Sequence, residues 1–350
     1  MRHALILAGG SGTRLWPFST AGLPKQLVPL LAGRSLLDVA VSRATSVVHA
    51  DRVWLGAGEQ LRGAVSAVEG LRPDRLVIEP SGRDTLPAVA LGMATIAASD
   101  PDAVVAVLTA DHLIEPVDSF AETLSEAFEL AEGRSDALVT FGVVPDHPAT
   151  GFGYLELGAP LSGDARVVAR FAEKPDTARA EELVAAGALW NSGMFVWQAS
   201  ALLAAVEAFA PSTAALVARV VAGDAAAWED IPKLSVDYGV MEPASTSPDF
   251  TVAALPLDAR WLDVGSWPAY GDAVGRDDAG NAVSAPLAVV HGSTDCVVAS
   301  SDPDHLVALV GCAGLVVVHT PTATLVMPAA EAQRVKELHA LVAAQRPDLA

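Results

Sequence analysis

The chain has 350 residues, 51% hydrophobic and only 18% charged, with a formal net charge of −20. That length accommodates one large domain and one small one, and the apolar share supplies a sizeable core. The acidic balance, with a pI near 4.6, excludes nucleic acid as the main partner, because phosphate backbones need a basic surface; a nucleotide needs only a local basic pocket or a metal.

In the first half, apolar strands alternate with helical patterns, which predicts a mostly parallel sheet. The strands are expected at Ala4–Ala8, Arg52–Leu55, Arg75–Ile78, Ala103–Thr109 and Ala137–Phe141. The helices between them fall at Leu36–Val48, Gln60–Val68, Leu86–Ala98 and Phe120–Glu132. Several strands are near-continuous Val, Ile, Leu and Ala, as when both faces are covered. Beyond Gly151, strands are expected at Gly153–Leu157, Val167–Ala172 and Gly193–Trp197, and helices at Ala178–Gly187 and Ala199–Phe209. The polar run VGRDDAGNAVS, residues 274–284, reads as a domain link. Short strands follow at Leu287–Val290, Cys296–Ala299, His305–Val310, Leu315–His319 and Ala323–Met327, then a helix at Ala330–Ala343. Their even spacing predicts a small β-roll. The expected domains are residues 1–275 and 276–350.

Two cysteines, Cys296 and Cys312, give neither a bridge framework nor a metal spacing, which fits a cytoplasmic protein with free thiols. MRHALILAGG is too short and too soon interrupted for a signal peptide, and no apolar run approaches the ~18 residues of a membrane span. Lysines number four, and two of them, Lys25 and Lys174, stand in contexts that look chemical.

ALILAGGSGTRLWPFSTAGLPKQLVPL, residues 4–30, runs from an apolar strand into a glycine-rich loop. No Lys-Ser or Lys-Thr pair follows Gly12, so it is not a Walker loop. Leu15 stands where a dinucleotide fingerprint needs its third glycine, and Pro17 stands where its helix would run, at a cost of about 3 kcal/mol. The loop therefore continues past Pro17. Its backbone N–H groups can still face an anion, with Arg14 and Lys25 adding charge. A tight turn with two solvated cations is the plainer alternative.

Other candidates follow the strands. Asp111, after an apolar strand, can hold a divalent metal at the sheet edge or cap a turn. Glu173 and Lys174 are adjacent, so sharing a ligand requires a bulge or turn; otherwise they form an edge ion pair. Asn191, in an Asn-Ser-Gly turn, can read hydroxyls or cap the turn. Asp263, among apolar neighbours, calls for a metal or a basic partner.

Together and in this order, GGSGTRLWP…PKQ, EPSGRDT, ADH, GFGY, FAEKPD, NSGMF, DYGVME and WLDVGSW resemble the mannose-1-phosphate guanylyltransferases, within the sugar-phosphate nucleotidylyltransferases. The resemblance spans roughly residues 3 to 340 and implies an α/β fold. It consists of a Rossmann-like, mostly parallel nucleotidyltransferase domain, a small C-terminal β-roll or β-helix-like domain and a terminal helix. It implies a Mg²⁺-dependent, in-line transfer of a guanylyl group from GTP to α-D-mannose 1-phosphate, giving GDP-mannose and pyrophosphate. It also implies a homodimer, and a chain without the isomerase domain of longer bifunctional relatives.

By the same resemblance, Gly9, Gly10, Gly12 and Thr13 lie along the nucleotide, and Arg14 holds the departing phosphates. Lys25 lies at the transferred centre, and Asp111 and Asp263 share the metal. Glu79, Arg83 and Asp84 lie near base and ribose. Gly153, Glu173 and Asn191 face the sugar, and Lys174 its phosphate. Neither Asp111 nor Asp263 has a cation in its own motif, so bringing them together predicts a repulsion that a metal relieves; pairing of Asp263 with Arg260 is the competing arrangement. Three departures stand out: Asp84 where many relatives carry Asn, Thr109 where Pro is frequent and Phe152 where Tyr is common. Another sugar 1-phosphate or base, and a non-catalytic nucleotide-sugar sensor on the same fold, stay open as alternatives.

Overall fold

Apolar runs become strands in chain order: β1 (Arg2–Ala8), β2 (Val53–Gly58), β3 (Leu76–Glu79), β4 (Val104–Thr109), β5 (His112–Glu115), β6 (Ala137–Val143), β7 (Tyr154–Ser162), β8 (Ala165–Ala172), β9 (Leu189–Gln198), β10 (Thr251–Pro256) and β11 (Arg260–Asp263). The computed structural model describes residues 1–10, 12–20, 22–31, 33–66, 68 and 70–350. They divide into two compact units. The first is Met1–Gly9, Ala40–Ala110 and Ile114–Trp261; the second is Gly10–Val39, Asp111–Leu113 and Leu262–Ala350.

In the first unit, nine strands among the described residues form one sheet in the order β3-β2-β1-β4-β9-β6-β10-β8-β7. The β3-β2-β1-β4 half is parallel throughout, and its order reverses at β1, the usual place for a ligand crevice in such sheets. In the other half β10 runs parallel to β6, while β9 is antiparallel to both β4 and β6. Helix Thr85–Ser99 packs so closely on this sheet that a Cβ at Gly92 would run into the Leu5 side chain. Glycine there removes the obstacle at a helix-propensity cost of about 1 kcal/mol.

Some elements depart from the sequence reading. Of the helix expected at Gln60–Val68, Arg62–Val65 is α-helical after a 3₁₀ turn at Glu59–Leu61, and Ala67 lies outside the described residues. Helix Pro211–Val221 and strand β10 lie outside the elements that the sequence pattern predicts. The Asn-Ser-Gly segment, expected as a turn, lies inside β9. Gly193 at φ +70° and a register shift opposite Thr140 and Gly142 make a bulge there, so the strand continues through residues with weak strand preference.

In the second unit, the opening loop turns at Gly12, which is left-handed with φ +61°, into a 3₁₀ turn at Thr13–Leu15. The Ser19 hydroxyl donates to Gly12 C=O at 2.6 Å. Trp16 is buried: its indole donates to Leu349 C=O at 2.8 Å, and Trp267 donates to Trp16 C=O at 3.0 Å. The remaining strands are β12 (Ala282–Ser284), β13 (Leu287–His291), β14 (Val297–Ser300), β15 (Leu306–Val310), β16 (Leu315–His319) and β17 (Thr324–Pro328). β12, β14 and β16 stack in parallel, as do β13 and β15, in the manner of a β-helix. Alternate residues of β15 and β17 are buried, so each strand keeps one face for the core. Helix Val335–Gln345 follows.

Candidate active site

In the second unit, Lys25 is buried and its Nζ donates to Asp111 Oδ2 at 2.6 Å. Its aliphatic stem passes over Gly12, where a Cβ would lie 2.6 Å from Lys25 Cγ. Glycine thus serves twice here, supplying the left-handed backbone and the space for the lysine. Asp263 ends β11, and Val264 N–H donates to Asp111 C=O at 3.2 Å. One ligand atom each from Asp111, His112 and Asp263 lie within 4.8 Å of one another. Asp111 has no cation in its own motif, and Lys25 reaches it from a distant part of the sequence. The Arg260 guanidinium pairs with Glu115 at 3.3 Å.

Burial alone would raise the Asp111 carboxyl. Together, the Lys25 ammonium, the His112 charge and hydrogen bonds from Lys25 and the backbone outweigh burial and hold it below its ordinary range. Two carboxylates suit a hard divalent cation such as Mg²⁺, which binds through one or two carboxylates plus substrate phosphates. The His112 imidazole would suit a softer ion, so the fit to Mg²⁺ rests on Asp111 and Asp263. Arg14, in the 3₁₀ turn, donates to Gln333 Oε1 at 2.8 Å. Thr13 opens that turn, and Gly10 is exposed with φ +86°.

The first unit gathers the sugar-side candidates. Lys174 takes φ +44°, which turns its Nζ back to Glu173 Oε1 at 2.7 Å. This is the turn that two adjacent strand residues need in order to act together. A Cβ at Gly153 would lie 2.5 Å from Glu173 Oε2, so this glycine makes room for the carboxylate. Gly153 C=O also accepts from Asn191 N–H at 2.8 Å, which brings Gly153, Glu173 and Asn191 together. Burial would lower the Lys174 pKa, but hydrogen bonding to Glu173 and its charge carry it above the ordinary value. The Asn191 amide is held from both sides: Nδ2 donates to Asp237 Oδ1 at 2.9 Å, and Oδ1 accepts from Thr140 Oγ1 at 2.8 Å.

Glu79, at the carboxyl end of β3, is buried, and desolvation pushes its carboxyl up to about 7. Asp84 caps helix Thr85–Ser99, accepting from Thr85 N–H at 2.7 Å. Its φ of +73° with ψ −177° is a strained conformation for a side-chain-bearing residue. Arg83 pairs with Glu229. Gly9 follows β1 and is exposed. Of the departures noted in the sequence, Phe152 packs its ring 5.1 Å from Trp190 and 5.3 Å from Trp261. The residues that sequence reasoning missed are His112, Thr140, Asp237 and Gln333. ADH and DYGVME carried the signal for His112 and Asp237; nothing local marked Thr140 or Gln333.

Residues 3–279 match a family model described as nucleotidyl transferase, and residues 288–340 match one described as MannoseP isomerase/GMP-like beta-helix domain. A mannose-1-phosphate guanylyltransferase of Klebsiella pneumoniae is 37% identical over 354 residues, covering 95% of this chain and 72% of its own length. The xanthan biosynthesis protein XanB of Xanthomonas campestris pv. campestris (strain B100) is 36% identical over 350 residues, with the same coverage. A crystal structure from Thermus thermophilus, described as mannose-1-phosphate geranyltransferase, superposes with a TM-score of 0.87 at 33% identity, covering 96% of this chain and 98% of that one.

Proposed function

This chain belongs to the nucleotidyl transferase family, and we propose that it transfers the guanylyl group of GTP to α-D-mannose 1-phosphate, releasing GDP-mannose and pyrophosphate. The observation that carries this reading is the assembly of Lys25, Asp111 and Asp263 from three distant segments in the second unit, in a chain 37% identical to a mannose-1-phosphate guanylyltransferase. The sugar phosphate attacks the α-phosphorus, its oxygen forms the new P–O bond, and the bond to the β-phosphate breaks. No protein nucleophile is required, so the chain's task is positioning and charge neutralisation.

Lys25 releases Asp111 and follows charge as it builds on the transferred phosphoryl oxygens. Asp111 and Asp263 hold Mg²⁺, which when bound neutralises phosphate charge. Arg14 exchanges Gln333 for the departing β,γ-phosphates. The backbone of Gly9, Gly10, Gly12 and Thr13 lies along the triphosphate. Glu79 supplies a hydrogen-bond acceptor for the base, and Arg83 and Asp84 border base and ribose. Glu173 and Asn191 take sugar hydroxyls, Gly153 leaves room for them, and Lys174 takes the sugar phosphate.

GTP as substrate assigns the protein to the cytoplasm, and no helix among the described residues is long and apolar enough to cross a membrane. The homodimer implied by the resemblance fits the exposed row Leu287, Val289, Leu306 and Val310 on β13 and β15; sedimentation velocity tests it. For the reaction itself, GTP labelled at the α-phosphorus is incubated with mannose 1-phosphate. Label moving into GDP-mannose one-for-one with pyrophosphate supports the reading. Label retained on the protein, or transfer only to another acceptor, overturns it.

A further inference from the structure

Asp237, in the first unit, is a further acidic residue at the sugar-side group. Asp237 opens a π-helical turn, Asp237–Met241, a geometry frequent at functional sites. Its Oδ1 accepts from Asn191 Nδ2 at 2.9 Å. On the other side of the amide, the fully buried Thr140 Oγ1 stands 2.8 Å from Asn191 Oδ1 and 3.0 Å from Met194 C=O. An ionised carboxylate only accepts, so Asn191 must turn its nitrogen to Asp237 and its oxygen to Thr140.

We infer that Asp237 is a positioning residue of the sugar subsite: held in line with Asn191 and Thr140, its ionised carboxylate fixes which edge of the Asn191 amide meets the sugar. This rests on the reading of Asn191 as a sugar ligand. In the fixed orientation, the second Nδ2 hydrogen and the second Oδ1 lone pair remain for sugar hydroxyls. A proton from solvent on Asp237 reverses the line. The carboxyl O–H then donates to Asn191 Oδ1, Nδ2 donates to Thr140 Oγ1, and the Thr140 proton goes wholly to Met194 C=O. Each of these donors and acceptors has a partner in both arrangements, so a half-turn of one amide separates them. The sugar meets oxygen where it met nitrogen, so each hydroxyl on this edge must reverse its donor and acceptor roles, and its hydrogen bonds to the other sugar-side groups are disturbed.

The groups facing Asp237 set where this exchange occurs. Glu173 and Lys174 come from the turn after β8, Asp84 from the start of helix Thr85–Ser99, and Tyr238 adjoins Asp237 and donates from its hydroxyl to Glu173 C=O at 3.4 Å. Burial, then the charge of Glu173, push the Asp237 carboxyl up to about 7, with Asp84 adding to the effect and a backbone hydrogen bond and Lys174 opposing it. Both arrangements are therefore populated near neutrality.

The chain has two asparagines, Asn191 and Asn281, so selective ¹⁵N-asparagine labelling leaves two side-chain amides to follow, Asn281 serving as reference. In wild type, the Asn191 amide signals should move with a midpoint near pH 7; in Asp237→Ala they should not. In kinetics at pH 8, Asp237→Ala should raise KM for mannose 1-phosphate about tenfold and leave KM for GTP within about twofold. Asp237→Asn, which keeps an acceptor, should restore most of that KM and flatten its rise on acidification relative to wild type. The sugar phosphate's own ionisation near pH 6 is common to all three proteins and cancels in the ratio. An Asn191 amide that does not titrate, or an unchanged KM for the sugar phosphate in Asp237→Ala, overturns the inference. Absence of wild-type turnover with mannose 1-phosphate would refute the guanylyltransferase reading instead, and the spectra then decide the relay by themselves.

Discussion

Replacing Gly12 by alanine should disable the opening loop through Lys25. At φ +61°, an L-residue costs roughly 1–2 kcal/mol. The new Cβ would lie 2.6 Å from Lys25 Cγ and 2.7 Å from Lys25 Cβ. Lys25 Cβ is fixed to its own backbone, so rotation of the side chain cannot relieve the overlap, and overpacking adds about 1–3 kcal/mol. The sum, about 2–5 kcal/mol, is dissipated either as lost stability or by moving Lys25 away from Asp111. Urea unfolding reads the first and initial-rate kinetics the second. Gly10→Ala is the control: Gly10 also has positive φ, +86°, but among the described residues nothing beyond its chain neighbours lies within 4 Å of its Cβ position, so it carries the torsional cost alone. Gly12→Ala with wild-type kcat and stability no lower than Gly10→Ala would refute the reasoning.

Lys25→Ala is expected to lower kcat by about 10² or more, the scale for losing one charge-stabilising donor; a raised KM with kcat unchanged would reassign Lys25 to substrate binding. Asp111→Asn and Asp263→Asn should each lose turnover while circular dichroism shows the fold intact, and wild type should stop in excess EDTA; full activity in EDTA contradicts the metal assignment. Glu79 keeps its proton up to about pH 7 in the fold and loses it near pH 4.5 when unfolded, so the native state binds the extra proton and stability falls as pH rises through that window. Glu79→Gln should therefore be more stable than wild type at pH 8 and lose that gain near pH 4.5, as measured by denaturant titration at both values.

The parallel half of the sheet was legible because β1 and β4 are buried on both faces and spell that out as unbroken apolar runs. β10 was not, because a six-residue apolar run, TVAALP, has no periodicity to separate strand from buried helix. The bulge in β9 was hidden because Asn, Ser and Gly favour turns locally, while pairing with β6 decides the outcome. Glu173 and Lys174 could be paired from sequence only on condition of a turn, and the positive φ of Lys174 supplies it. The Lys25–Asp111 ion pair spans 86 positions, and no local pattern announces a contact of that range. Asp237 illustrates the same limit: its motif was visible, but its bond to Asn191, 46 positions away, exists only in the fold.

The most direct test of the central claim is pyrophosphate release across a grid of sugar 1-phosphates and nucleoside triphosphates, with Mg²⁺ present. The account gives its highest kcat/KM to GTP with mannose 1-phosphate. A preference of tenfold or more, about 1.4 kcal/mol, for UTP or dTTP over GTP, or for another sugar phosphate over mannose 1-phosphate, would contradict it.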